Sequence, residues 1–415
     1  MFFGKSFHLH LPTVCCMFGN PLSPPSSPNP SHRSPMANPV RIAVVGDVHD
    51  DWNLQEDTKA LQLLQKLEAL VLMNLPSSCL QLYVRFLQLS GFGAVYRQIF
   101  SSLLQFLDAT ITYLHFSALP GDFGNENVEL VRSIADLKLT KAAILGNHDA
   151  WRTQQFAQRQ EPRQAGERKD RVQLQLECLG EDHVGYRRVD YPSLKLSIVG
   201  GRPFSCGGEH LFRKALLDAR YGVQDMDGSA KRIYEAALGA PEDHSVILLA
   251  HNGPTGLGSK INDICGRDWV FGGGDHGDPD LAHAISHLKE TTQLCIPLVV
   301  FGHMHKELAY GNGLRKMIVV GDDNTIYLNG AIVPRVKRLG DDQTANTQSS
   351  MNNKTSLSSP NAEDTVRAFT LVEISGGKLK KIAENWVSVT GDETSLQEEH
   401  ILYRREHEGT ENPMQ

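Results

Sequence analysis

Short apolar runs punctuate this chain, and several of them stop abruptly at a small polar motif. Val40–Val45 reads VRIAVV, and Ala142–Leu145, Ser245–Ala250 and Pro297–Phe301 repeat the design. Such runs have no polar face, so they fit strands covered on both sides. Leu196–Val199, Met317–Val320, Thr325–Leu328 and Ala368–Ile374 predict further strands. Helical spacing lies between them. From Leu54 onward, Leu61, Leu64 and Leu67 share one face, and Glu56 and Asp57 sit where a first turn favours negative charge. Helices are also predicted around 126–137, 228–239 and 279–290. Strands alternating with helices predict an α/β fold whose ligands gather at strand ends.

Four segments depart from this pattern. Residues 1–38 contain no Asp or Glu and carry PLSPPSSPNPSHRSP at 21–35. A Ser-rich, acid-poor N-terminus reads as an organelle transit segment, and the Pro/Ser bias points to a chloroplast. The alternative is the disordered tail of a cytoplasmic protein, with Met36-Ala37 as an internal start. Residues 67–120 hold four charged side chains in 54 positions. TYLHFSALP within them ends in a proline and is not expected to supply the strand that should precede Gly121. We expect 67–120 to be an apolar insertion, either a translated intron or a lid or docking element. Residues 341–364 are polar and predict a disordered loop, and 396–415 a charged tail. The remaining domain is expected to span 39–395.

Composition narrows the function. The 415 residues include 41 basic and 48 acidic side chains, for a net charge of −7, so no extended nucleic-acid surface is expected. No apolar run reaches 18 residues, so no membrane span is expected. The seven cysteines form no CxxC pair, which argues against a disulfide framework or a thiolate zinc site.

The chemistry sits in five motifs at strand ends. They are Gly46-Asp47-x-His49, Gly121-Asp122-Phe123-Gly124-Asn125, Gly146-Asn147-His148-Asp149, Ala250-His251-Asn252-Gly253 and Gly302-His303-x-His305. Glycine lets the backbone leave a strand sharply. Residues two apart on an extended segment point the same way, as in Asp47/His49 and His303/His305. The set offers carboxylate, amide and imidazole donors, enough for two metal ions, and no thiolate. Mn, Fe or Zn suits such donors.

The order and identity of these motifs resemble the calcineurin-like metallophosphoesterase superfamily, and their overall look is similar to its plant and cyanobacterial group of undefined substrate. The resemblance implies a two-sheet β-sandwich flanked by helices. It implies one metal held by Asp47, His49, Asp122 and His305, and a second by Asp122, Asn147, His251 and His303, with Asp122 bridging. His148 would face the substrate as the catalytic residue and assist the leaving oxygen. A hydroxide bridging the two ions would attack the phosphorus of a small phosphomonoester or phosphodiester. Phe123-Gly124-Asn125 lacks the Asp-Arg-Gly of protein phosphatases and the Tyr of purple acid phosphatases. The alternatives are a nuclease of the same superfamily and a catalytically silent metal-binding scaffold. Arg202, Lys260 and Arg267 are candidate phosphate contacts. Trp52 and Trp151 are expected to pack beside the site, and Gly272–Gly277 to form a glycine-rich loop at its mouth.

Overall fold

The first apolar run forms β1 (Val40–Val44), buried along its whole length. The computed structural model describes residues 39–72, 114–154, 170–338 and 364–405. β2 (Leu114–Leu119) and β3 (Lys141–Ala143) continue the sheet from β1 in parallel. On the other side of β1 the sheet turns antiparallel through β11 (Thr365–Ser375), β12 (Lys378–Thr390) and β13 (Glu393–Arg404), with β10 (Val336–Arg338) also against β11. The second sheet runs β4 (Arg188–Tyr191), β5 (Leu196–Gly200), β6 (Ser245–Leu249), β7 (Cys295–Phe301), β9 (Ile326–Asn329) and β8 (Ile318–Val320). Its four central strands are parallel and its two edges antiparallel.

Alternation along the strands divides the core. Ile42, Val44, Phe116 and Ile144 from the first sheet meet Ile198, Ile247, Leu298, Val300 and Leu328 from the second. The intervening residues, such as Ala43, Val246 and Leu248, face outward into helices. Leu61 and Leu64 of α1 (Leu54–Leu72) belong to that outer cluster, as do α2 (Val128–Ala135), α3 (Arg171–Leu179), α4 (Lys214–Tyr221), α5 (Met226–Leu238) and α6 (Pro279–Thr291). Each fully buried aliphatic side chain contributes about 1.5–3 kcal/mol relative to exposure. Helix starts are capped by short polar side chains. Asn53, Asn127, Asp170 and Asp225 each accept a hydrogen bond from a first-turn N–H. The architecture is the expected two-sheet sandwich between helical layers.

Two expectations are corrected. Leu114–Leu119 is strand β2, seated between β1 and β3, and α1 reaches Leu72, so both ends of 67–120 belong to the fold. Pro120 follows the last ladder position of β2, where its missing N–H costs no strand bond. The domain also extends past 395. β13 pairs with β12 from Glu393 to Arg404, and its charged residues occupy the open side of an edge strand. Residues 1–38, 73–113 and 339–363 lie outside the described residues, and with them the transit-segment expectation and most of the insertion and loop expectations.

Candidate metal centre

All the parallel strands of both sheets end on one rim, and the five motifs occupy that rim. β1 delivers Asp47 and His49, β2 Asp122, β3 Asn147 and His148, β6 His251, and β7 His303 and His305. The backbone bends hard there. Asp47 (φ 49°), His49 (φ 45°), Asp122 (φ 51°) and His303 (φ 67°) all take left-handed conformations. Each such residue costs roughly 1–2 kcal/mol, so four together mark a place where geometry outweighs comfort. Two of the preceding glycines are needed for space. A Cβ on Gly302 would lie 2.2 Å from Asp47 Oδ2, and one on Gly146 2.3 Å from Asp122 Oδ1.

The eight residues singled out from the sequence come together. Asp47, His49 and His305 form one convergent group of donors, and Asp122, His251 and His303 another. His49 and Asp122 also group with His148. His49 Nε2 and His305 Nε2 are 2.9 Å apart, and each lies about 4 Å from Asp47 Oδ1, at 3.9 and 4.0 Å. His251 Nε2 lies 3.4 Å from Asp122 Oδ1 and 2.9 Å from Asn147 Oδ1. His251 Nδ1 is 2.7 Å from the Pro120 carbonyl, which places the hydrogen on Nδ1 and aims Nε2 inward.

Supporting bonds fix this arrangement. The His303 N–H donates to both Asp47 oxygens at 3.0 and 2.8 Å, joining the two sheets. The His148 N–H donates to Asp122 Oδ1 at 2.8 Å. Asp149, fully buried, accepts from Gly146 N–H (2.8 Å), Asp122 N–H (3.0 Å) and Phe123 N–H (3.1 Å), tying the β2 and β3 turns together.

Burial and crowding decide the charges. Burial, with the Asp122 charge adding, pushes the Asp47 carboxyl up to about 8 against the opposing pull of His251. Burial also acts to raise Asp122, but His251, His148 and His303 outweigh it and hold that carboxyl below its usual range. Burial would lower His251, yet Asp122 and Asp47 raise it to about 10. Burial lowers His49 and His303, and takes His305 down to about 4. Near neutral pH the centre therefore holds three imidazoles with a free nitrogen lone pair, and a proton on His251 balances the Asp122 carboxylate. A divalent cation answers the same demand for positive charge with better geometry, and nitrogen and oxygen donors suit Mn, Fe or Zn. The residues present fit such ions.

The sequence provides an independent comparison. Residues 40–307 match the calcineurin-like phosphoesterase family. The chain belongs to that family. Calcineurin-like phosphoesterases hydrolyse phosphoric esters and typically bind two metal ions. No curated protein sequence matches this member. Two solved structures are similar at low identity. One is the Plasmodium protein GAP50, the anchor in the inner membrane complex, at 12% identity and a TM-score of 0.36, with 89% of this chain and 90% of that one covered. The other is the phosphopantetheinyl hydrolase PptH of Mycobacterium tuberculosis, at 11% and 0.33, with 71% and 89% covered.

Other candidates in this calcineurin-like phosphoesterase fall elsewhere. Arg202 is buried against Asp278 (2.8 Å) and Asp280 (3.0 Å), a structural ion network with no side open to a phosphate. Trp151 is half-exposed and stacks on the His148 ring at 4.8 Å. The sequence placed Trp151 beside the site, and the local backbone explains the contact. His148–Ala150 is a 3-10 turn, in which residues three apart eclipse. Asn125 Oδ1 accepts from His148 Nδ1 at 2.9 Å, so the ring is held on its face and its edge. His276, within the glycine-rich loop, stacks on His303 at 6.0 Å and donates to the Cys206 carbonyl at 2.8 Å.

Proposed function

We propose that this chain is a metal-dependent phosphoester hydrolase with a dinuclear centre, acting on a phosphomonoester or phosphodiester. The observation that carries the reading is the pair of donor groups, Asp47/His49/His305 and Asp122/His251/His303, converging from two sheets. Asp47, His49, Asp122 and His305 would hold one ion, and Asp122, Asn147, His251 and His303 the other, with Asp122 shared. When bound, two Mn, Fe or Zn ions supply an acidified water and positive charge opposite the phosphoryl oxygens.

The chain's own residues do the rest. His148 keeps its Nδ1 hydrogen on Asn125 Oδ1, so its Nε2 faces the crevice. A protonated His148 can donate from Nε2 to the departing oxygen, a role worth about 10²–10⁴ in rate. Asp149 holds Asp122 and His148 in register. The left-handed turns at Asp47, Asp122 and His303 keep the donors aimed inward before any ion arrives.

The test is hydrolysis of an aryl phosphodiester and an aryl phosphomonoester with added Mn²⁺, paired with metal analysis. We expect turnover, its loss on chelation, and loss of both turnover and metal in Asp122→Ala. Full activity in Asp122→Ala would overturn the assignment. Two ions bound without turnover would favour a metal-binding scaffold.

A further inference from the structure

Two loops rise beside the crevice, one after His251 and one after His303. Six large apolar side chains on them face solvent: Ile261, Trp269, Val270, Phe271, Tyr310 and Leu314. Phe271 has a relative exposure of 107%, so it touches almost nothing of its own chain. The loops are firmly fixed all the same. Arg315, itself buried, donates to the carbonyls of His305 (2.9 Å), Asp263 (2.8 Å) and Gly266 (2.6 Å) and pairs with Asp268 at 3.2 Å. Asp268 also accepts from the Ala309 N–H at 2.7 Å. Trp269 meets His276 edge-on at 5.0 Å, and His276 in turn stacks on His303. The apolar lip is therefore bolted to two residues of the metal centre.

A preformed apolar patch of this kind calls for a cover. A small ligand is a poor candidate, because a side chain that protrudes without neighbours cannot serve as a pocket wall. Gly272, Gly273 and Gly274, all at positive φ, turn the chain back just behind Phe271 and leave Trp269-Val270-Phe271 as a projecting tip. Charge argues against a polyanionic partner, since loops 255–276 and 306–316 carry five basic and four acidic residues. A deformable apolar phase under a zwitterionic surface matches both features. Trp and Tyr favour that boundary, and apolar residues at such a tip bury themselves in it.

We propose that this lip docks the crevice onto a lipid layer, and that the phosphoester is presented from that layer. The second half rests on the phosphoesterase reading above; the docking does not.

The experiment is co-sedimentation of the full chain with phosphatidylcholine vesicles, read with tryptophan emission. Phe271→Asp is the comparison, and it leaves the fold's own contacts intact. We expect the wild type to sediment with blue-shifted emission. Phe271→Asp should partition about tenfold less, since one buried aromatic side chain carries that much. Raising salt should change neither, because the lip is nearly neutral. Equal partitioning of the two proteins, or no sedimentation of the wild type at millimolar lipid, would overturn the docking. So would a wild-type dimer that Phe271→Asp converts to a monomer without lipid binding. Hydrolysis of a soluble aryl phosphodiester with Mn²⁺ is measured alongside. Turnover without lipid binding removes the docking alone, and lipid binding without turnover removes the phosphoesterase reading alone.

Discussion

Asp149 offers the sharpest test of how the centre is built. It ligates nothing, yet its two oxygens accept three buried N–H groups from the turns that carry Asp122 and His148. Asp149→Asn keeps the shape and replaces one oxygen by an NH₂ group. The amide can turn its oxygen toward Gly146 and Asp122, which leaves the Phe123 N–H facing a second donor. An unpaired buried N–H costs about 1–3 kcal/mol, and the two surviving bonds lose the help of the charge. The sum is roughly 2–4 kcal/mol. For a domain of this size, about 2–4 °C accompanies each kcal/mol, so Tm should fall by about 5–15 °C. The assay is thermal unfolding of the metal-free protein at neutral pH, followed by metal retention, which should fall because Asp122 and His148 lose their common anchor. Burial and the Asp122 charge push the Asp149 carboxyl up, against the Gly146 and Phe123 N–H bonds and the pull of His251. A Tm change below about 1 °C would mean that the side chain is already neutral and that its second oxygen anchors nothing, and the argument would fail.

Three further outcomes are expected. His148→Ala should bind metal like the wild type and lose about 10²–10⁴ in kcat, since the ring acts on the leaving group; metal analysis and steady-state kinetics on one preparation check this. His183 is buried and its Nε2 accepts from the Leu145 N–H, and burial, with Arg187 and Arg220 adding, lowers it to about 3. The unfolded chain then binds a proton below pH 6.5 that the folded chain refuses, so stability is full above 6.5 and falls by roughly 1 kcal/mol per pH unit toward 3; denaturation at stepped pH should show that slope, flattened in His183→Gln. Chelation should lower the Tm of the wild type, by an amount that corresponds to about 3 kcal/mol if metal had been at a hundredfold excess over Kd, and should leave Asp122→Ala nearly unmoved.

What could be read in advance followed from burial. β1, β6 and β7 are covered on both faces, so their sequences are continuous apolar runs, and the motifs stand directly after them. The residues of the centre were legible because each announces itself as a polar group at the end of such a run. β12 and β13 were not, because KLKKIAENWVSVT and ETSLQEEHILYR mix charges into strands that are partly exposed. β2 was misread because Pro120 was taken as a break inside a strand when it stands just beyond one. Asp149 and His276 were missed as contributors for another reason. Their contacts depend on how the turns stack in space, whereas Trp151, directly after the third motif, was placed beside the site from its position alone. The ion pairs that bury Arg202 run 76 and 78 residues along the chain, a distance over which no local pattern carries information.

The bond from the His303 N–H to Asp47 spans 256 residues. Halves of the centre therefore lie far apart along the chain, on different sheets, and meet only where the two sheets meet. No fragment released early from synthesis contains a complete set of donors. A chain that stops before β7 carries Asp47, Asp122 and Asn147 with no His303 or His305 to face them. Closing so long a loop is slow and comes late. Occupancy by metal would then report that the chain has been made at least through His305 and that the two sheets have met, so that hydrolytic competence follows the joining of the layers.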